Sequence, residues 1–133
     1  MERTETGVVR LLIAPCPDYD VHEVSVLRDE EEGELERWAA SSNLSPGSPG
    51  EVELFRAPAG WEVYRSTLKD LNRPGTYVAD IDGAVKGSSL DSEVTFTIKQ
   101  LQDLKAGKVI TGIDGGKVME RDEFLKPDSK RCS

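Results

Sequence analysis

The sequence has little of what catalysis and metal binding usually require. It contains one histidine, His22, and two cysteines, Cys16 and Cys132, among 133 residues. Two cysteines form one bridge at most, and their spacing does not match a zinc site. The chain also lacks a glycine loop of the kind that cradles phosphate. We therefore expect no cofactor and no enzymatic activity, and the scarcity of cysteine favours a reducing compartment.

Long apolar runs are missing as well. The longest, residues 8–14, is interrupted by Arg10 and is much too short to cross a bilayer. Residues 1–5 are polar and acidic, which is not typical of a secretory signal. The sequence thus predicts no signal peptide and no membrane insertion by this chain. The expected location is cytoplasmic or at the cytoplasmic face of a membrane.

What the chain does have is an excess of acid near one end. The net charge is −8, and residues 1–50 contain 11 acidic and 4 basic residues, against 14 and 13 in residues 51–133. A field of this sign repels nucleic acid and attracts a basic partner or cations. The simpler interpretation, that the acidic surface keeps the protein soluble, stays open.

The pattern of apolar residues predicts an α+β fold of mostly antiparallel strands. Short alternating segments, bounded by glycine and proline, predict strands at 7–14, 21–27, 52–57, 61–66, 76–82, 93–98, 109–113 and 117–121. One acidic helix is expected over 29–42, with short helices over 67–71 and 98–106. Residues 1–133 are expected to form a single compact domain with a flexible loop at 43–50 and a frayed tail from about 125.

The acidic helix carries a hypothesis of partner binding. Leu35, Trp38 and Ala39 are spaced i, i+3, i+4, which predicts an inward face and leaves the acids in solvent. Crowded acids repel one another, and the helix dipole offsets only part of that repulsion. The candidate partner-binding residues are Glu30, Glu31, Glu34 and the aromatic Trp61. For Trp61 the alternative is a residue that covers the edge of the core.

A short segment near the N-terminus offers the best candidate for metal binding or catalysis. In a strand, Asp18, Asp20 and His22 would share one face. Two carboxylates and an imidazole are suitable ligands for a divalent metal and suitable acid–base groups. A solvated edge strand whose charges deter pairing explains the same pattern.

A second acidic stretch resembles a calcium loop only in part. Asp80 and Asp82 are followed by Asp91 at position 12 of such a loop. Ala84 and Val85 stand where a ligand and a glycine are needed, so the match fails. An Asp-Gly turn at 82–83 is the favoured interpretation.

Two segments share a pattern that indicates an internal repeat. Leu-x-Asp-Leu occurs at 68–71 and at 101–104, and each copy is followed by a glycine and by Ile-Asp-Gly. The pattern predicts two related helix–strand–hairpin units, over 67–83 and 100–115. Convergence of two common local motifs stays open as the alternative.

The function favoured by these observations is a non-enzymatic protein-interaction domain. Its partner would be another protein, a basic one, bound through the acidic N-terminal part. One alternative is a conserved domain excised from a larger, membrane- or surface-associated protein whose targeting segments are absent from this chain. The other is a small metal-dependent hydrolase that uses Asp18, Asp20 and His22.

Overall fold

The structure, a computed structural model, describes residues 1–29, 35–42, 50–113 and 116–126, which form two five-stranded antiparallel sheets and two short helices. The strands are β1 (Glu2–Arg3), β2 (Val9–Leu12), β3 (Tyr19–Asp29), β4 (Glu36–Ser42), β5 (Glu51–Glu53), β6 (Trp61–Ser66), β7 (Thr76–Val85), β8 (Ser88–Thr97), β9 (Lys108–Thr111) and β10 (Lys117–Glu120). The helices are α1 (Ile98–Asp103) and α2 (Arg121–Phe124). The first sheet has the order β10-β9-β1-β2-β5, and the second has the order β6-β4-β3-β7-β8.

One apolar core lies between the two sheets. It combines Leu11 and Val52 of the first sheet with Val24, Tyr77 and Phe96 of the second, each at most 2% exposed. The rings of Tyr77 and Phe96 are stacked with their centroids 5.5 Å apart. Along β7 every second residue from Tyr77 to Gly83 is buried, which is the period-two pattern of a strand with one face on a core.

The two sheets meet at one corner. The backbone N–H of Thr95 in β8 donates to the carbonyl oxygen of Gly112, just after β9, at 3.0 Å. On the outer face of the first sheet, Leu12, Val109 and Phe124 form a second, smaller cluster. Phe124 belongs to α2, so this short helix covers part of that face.

Several elements expected from the sequence are confirmed, including the short helix after the strand predicted at 93–98, which ends at Asp103 and not at residue 106. Thr97 and Gln100 form a reciprocal capping box, in which the Thr97 N–H donates to Gln100 Oε1 at 2.8 Å and the Gln100 N–H donates to Thr97 Oγ1 at 3.2 Å. Leu101 and Leu104 are buried. The mostly antiparallel, strand-dominated character of the chain is confirmed too.

The acidic helix predicted over 29–42 is wrong where the structure describes it. Residues 36–42 form β4, which pairs with β3 on one side and with β6 on the other. Trp38, Ala39 and Ala40 are buried in succession, so the i, i+3, i+4 apolar spacing reflects a strand enclosed within a sheet. Leu35 is 58% exposed and does not face inward. Residues 30–34 lie outside the described residues.

The predicted repeat is not confirmed, and no helix forms at residues 67–71. Leu68 is buried in an irregular segment, whereas Leu101 lies in α1. Residues 81–83 lie in the middle of β7, but Ile113 follows the end of β9. The β7–β8 turn is made instead by Lys86 and Gly87, both with positive φ, so the predicted Asp-Gly turn at 82–83 is wrong.

The strands predicted at 52–57 and 61–66 are next to each other in the sequence but belong to different sheets. β5 pairs with β2 in the first sheet, and β6 pairs with β4 in the second. Between them Phe55 adopts a positive φ of 66° and its ring meets the edge of Trp38 at 5.9 Å. The chain thus crosses from one sheet to the other at this point.

Four further expectations concern the loop at 43–50, the C-terminal tail, membrane insertion and the redox environment. The predicted loop at 43–50, apart from Gly50, and the predicted tail, apart from Leu125 and Lys126, lie outside the described residues. In the described ranges no helix has the length and apolarity needed to cross a membrane. Cys16 is buried and disulfide-bonded. Since disulfides persist in oxidising environments, this bond is at odds with the reducing compartment expected from the sequence.

Candidate functional site

Five carboxylates lie side by side on the outer face of the second sheet. We call this surface the acidic face; it consists of Glu23 on β3, Asp80 and Asp82 on β7, and Asp91 and Glu93 on β8. Asp82 is directly opposite both Glu23 and Asp91, and Asp80 is directly opposite Glu93. Residues opposite one another in a ladder share a face, and the intervening residues of β7 point into the core, so all five carboxylates face outward.

One of the five carboxylates has well-defined polar partners. Arg37 Nη2 donates to Glu23 Oε1 at 2.9 Å, and the Tyr64 hydroxyl donates to the same oxygen. Both partners lie on β4 and β6, on the side of β3 that is opposite to β7. Arg37 therefore forms its ion pair on the β4 side of the acidic face. Its charge also partly offsets the rise that burial, Asp91 and Glu23 cause in the pKa of Asp82.

In the ranges that the structure describes, the other four carboxylates are not paired with a cation. Within the described part of the chain, no lysine or arginine forms an ion pair with Asp80, Asp82, Asp91 or Glu93. Like charges directly opposite each other on neighbouring strands destabilise a sheet. The arrangement therefore costs stability and is not explained by the needs of folding.

The proximity of these groups alters their proton affinities. Partial burial, followed by the neighbouring charges of Asp82, Glu93 and Asp91, raises the pKa of Asp80 to about 6. Partial burial also raises the pKa of Asp82, and Asp91 and Glu23 add to the effect. Desolvation and then the charge of Asp91 raise the pKa of the nearby Tyr19 hydroxyl to about 12. Since a carboxyl with a pKa of about 6 is mostly ionised at neutral pH, the acidic face stays negative there.

A flat row of carboxylates is better suited to a broad cationic surface than to one ion. Side chains on one face of a sheet project in the same direction, and they do not converge on a point. Among the described residues, no group of three or more histidine, cysteine, aspartate or glutamate side chains is arranged to hold a metal ion. Long lysine or arginine side chains of a protein partner could reach several of these carboxylates at once.

The residues proposed as metal ligands occupy different local structures. Asp18 is exposed, precedes β3 and has a positive φ of 60°. Asp20 is half-buried within β3, and His22 is the exposed residue at a β-bulge in that strand. The bulge changes the alternation of faces, so the spacing in the sequence does not translate into one shared face.

Of the residues predicted to bind a partner, the structure describes only Trp61. Glu30, Glu31 and Glu34 lie outside the described residues. Trp61 is half-buried at the start of β6 and packs against the main core. Its backbone N–H donates to the Pro58 carbonyl oxygen at 3.0 Å. It lies on β6, and strands β4 and β3 separate it from the carboxylates of β7 and β8.

The spacing of the acidic residues in the sequence indicates the acidic face, although it does not match a calcium loop. Asp80 and Asp82 are two residues apart, as are Asp91 and Glu93, so each pair lies on one face of its strand. With the β7–β8 turn placed at Lys86 and Gly87, the two pairs become direct neighbours. A glycine after Asp82 favours the wrong turn position and obscures this relationship.

Comparison with known proteins finds no matching family model, no matching curated protein and no matching solved structure.

Proposed function

We propose that this domain is a protein-interaction module that binds a basic protein partner through the acidic face. The observation that carries the proposal is the juxtaposition of Asp80, Asp82, Asp91 and Glu93 on two neighbouring strands without a paired cation among the described residues. Such a surface is costly in the free protein, and cationic side chains of a partner would remove the repulsion. The relief of this repulsion on binding therefore adds to the affinity of the protein for a basic partner.

The physical behaviour expected of such a surface is specific. A negative field raises the rate of encounter with a positive partner, and salt reduces this effect because screening acts over roughly 8 Å at physiological ionic strength. The same field repels nucleic acid. The proposed binding surface is not the acidic segment at 30–34. Partner binding by that segment stays a separate prediction.

The test compares three triple variants that each remove three negative charges. The first, Asp80→Asn, Asp82→Asn and Asp91→Asn, alters the acidic face. The second, Glu30→Gln, Glu31→Gln and Glu34→Gln, alters the acidic segment. The third, Glu5→Gln, Glu53→Gln and Asp103→Asn, removes the same charge from scattered surface positions.

The probe is a lysine-rich peptide designed to be extended, and its affinity and association rate are measured at low and at physiological salt. We expect the acidic-face variant to lose at least about tenfold in affinity, which corresponds to about 1.4 kcal/mol. The scattered variant should lose less than about threefold, since distant exposed charges are screened. Equal losses in all three variants would show that only net charge matters, and a loss confined to the second variant would move the site to residues 30–34.

A further inference from the structure

Among the described strands, β6 lies at one edge of the second sheet. It is the terminal strand of the sheet order, and among the described residues no strand other than β4 pairs with it. A free edge leaves backbone N–H and carbonyl groups that can pair with another strand. The part of the sheet that carries most of the acidic face lies at the opposite end, on β7 and β8.

The side chains of β6 are unusually apolar for an exposed edge. Val63 is 44% exposed and Tyr64 is 51% exposed, and Trp61 is only half-buried. Natural sheets protect free edges with charge or proline. Here residues 61–66 carry one acid and one base, so the strand is neutral within a chain of net charge −8.

The register with β4 fixes the face on which each side chain lies. Glu62 is opposite Ser41 and Arg65 is opposite Ala39, whereas Val63 is opposite the buried Ala40. The register shifts between Ala39 and Ala40, so Tyr64 is the extra residue of a bulge. Glu62 and Arg65 therefore share the outer face although they are three residues apart.

This pattern is self-complementary when two copies of β6 run antiparallel. With a twofold axis through Val63 and Tyr64 as the bulge residue in each copy, Val63 lies opposite Val63 of the second copy. Glu62 then lies opposite Arg65 of the second copy, and Trp61 lies opposite Ser66. Every pair shares a face, both ion pairs are attractive, and the exposed valines contact each other.

We propose that β6 is a dimerisation edge and that its occupant is a second copy of this chain. The two second sheets become one continuous sheet across the twofold axis. Because that axis is perpendicular to the sheet, both acidic faces lie on the same side of the dimer. This pairing does not depend on the acidic face having a basic partner.

The test is charge reversal and its compensation. Sedimentation equilibrium over micromolar to millimolar concentrations measures dimer affinity for the unaltered chain, Glu62→Arg, Arg65→Glu and the double swap. Asp103→Arg is the matched control for Glu62→Arg, since it makes the same charge change on an exposed residue of α1. Circular dichroism checks that each variant keeps its fold, which is expected because Glu62 and Arg65 are exposed.

The unaltered chain and Asp103→Arg should dimerise alike. Each single reversal converts two attractive pairs into two repulsive ones and should weaken dimerisation at least about tenfold. The double swap restores opposite charges and should return the affinity to within about threefold. A chain that stays monomeric at millimolar concentration, single reversals without effect, or a double swap that fails to restore the dimer would each overturn the proposal.

Discussion

Asp82 on β7 and Asp91 on β8 lie directly opposite each other, and burial together with the charge of Asp91 raises the pKa of Asp82. The core side of the same hairpin is well packed, as shown by the stacked rings of Tyr77 and Phe96. The hairpin thus combines a favourable inner face with an unfavourable outer one. This contrast underlies the proposed function and leads to predictions that need no partner.

Replacing Asp82 by asparagine should stabilise the protein. The substitution keeps the shape of the side chain and removes a charge that faces both Glu23 and Asp91. We expect the free energy of unfolding to rise by about 0.5–1 kcal/mol, which is of the same size as other cross-strand pair effects. Chemical denaturation measures it, with Glu5→Gln as a control that removes an exposed carboxylate elsewhere. A less stable Asp82→Asn variant would show that the pair is not repulsive.

The stability of the protein should depend on the protonation of Asp80. Its pKa in the folded protein is raised from an ordinary value of 3.8 to about 6. The fold therefore holds a proton that the unfolded chain releases, and this contribution to stability is present below pH 4 and is lost as pH rises through 6.

Comparison with Asp80→Asn isolates this effect from other titrating groups. Asp80 is partly exposed, so we expect the asparagine variant to be more stable at pH 7 by only about 1 kcal/mol. The difference should shrink as pH falls from 6 towards 4. Denaturation curves at several pH values measure it, and a difference that stays constant over this range would contradict the raised pKa.

Gly83 should not tolerate a larger side chain. A Cβ at this position would lie 2.5 Å from the Asp20 carbonyl oxygen and 2.7 Å from Cε1 of Tyr19, whose hydroxyl donates to the Leu90 carbonyl oxygen at 2.8 Å. Gly83→Ala should therefore destabilise the protein by about 2 kcal/mol, as overpacking does. Gly50→Ala is the control, because no atom lies within 4 Å of its added Cβ. Equal thermal stability of the two variants would refute this close packing.

Glu2 should be more important for stability than any exposed ion pair. Its side chain is 5% exposed and accepts hydrogen bonds from Arg10 Nε at 2.5 Å and Arg121 Nε at 2.9 Å. Glu2→Ala leaves both guanidinium groups without this partner and should cost about 2–3 kcal/mol, somewhat less than a fully buried pair. Glu51→Ala removes a 46% exposed partner of Arg10 and should cost less than about 0.5 kcal/mol. Similar losses of unfolding free energy in the two variants would contradict this ranking.

The parts of the fold that could be predicted are those determined by local chemistry. The alternation of Tyr77, Ala79 and Ile81 predicts β7, and the capping box at Thr97 and Gln100 predicts α1. Both patterns depend on neighbours within a few residues. They hold because the tertiary structure agrees with the local preference.

The parts that could not be predicted depend on distant partners. Trp38 and Ala39 fit a helical spacing, but pairing with β3 and β6 places them in a strand. The acidic face has a local signal in the spacing of its aspartates. Its assembly, however, requires the position of the β7–β8 turn, and the glycine at 83 indicates a different one.

The most direct measurement of the central claim is a nuclear magnetic resonance titration of the protein with the lysine-rich peptide. Each backbone amide then reports on its own position, so binding is located without substitutions. We predict that the largest shifts occur at Asp80, Asp82, Asp91 and Glu93, and that they diminish with salt. Shifts concentrated in residues 30–34, or spread evenly over all the acidic residues, would contradict binding through the acidic face.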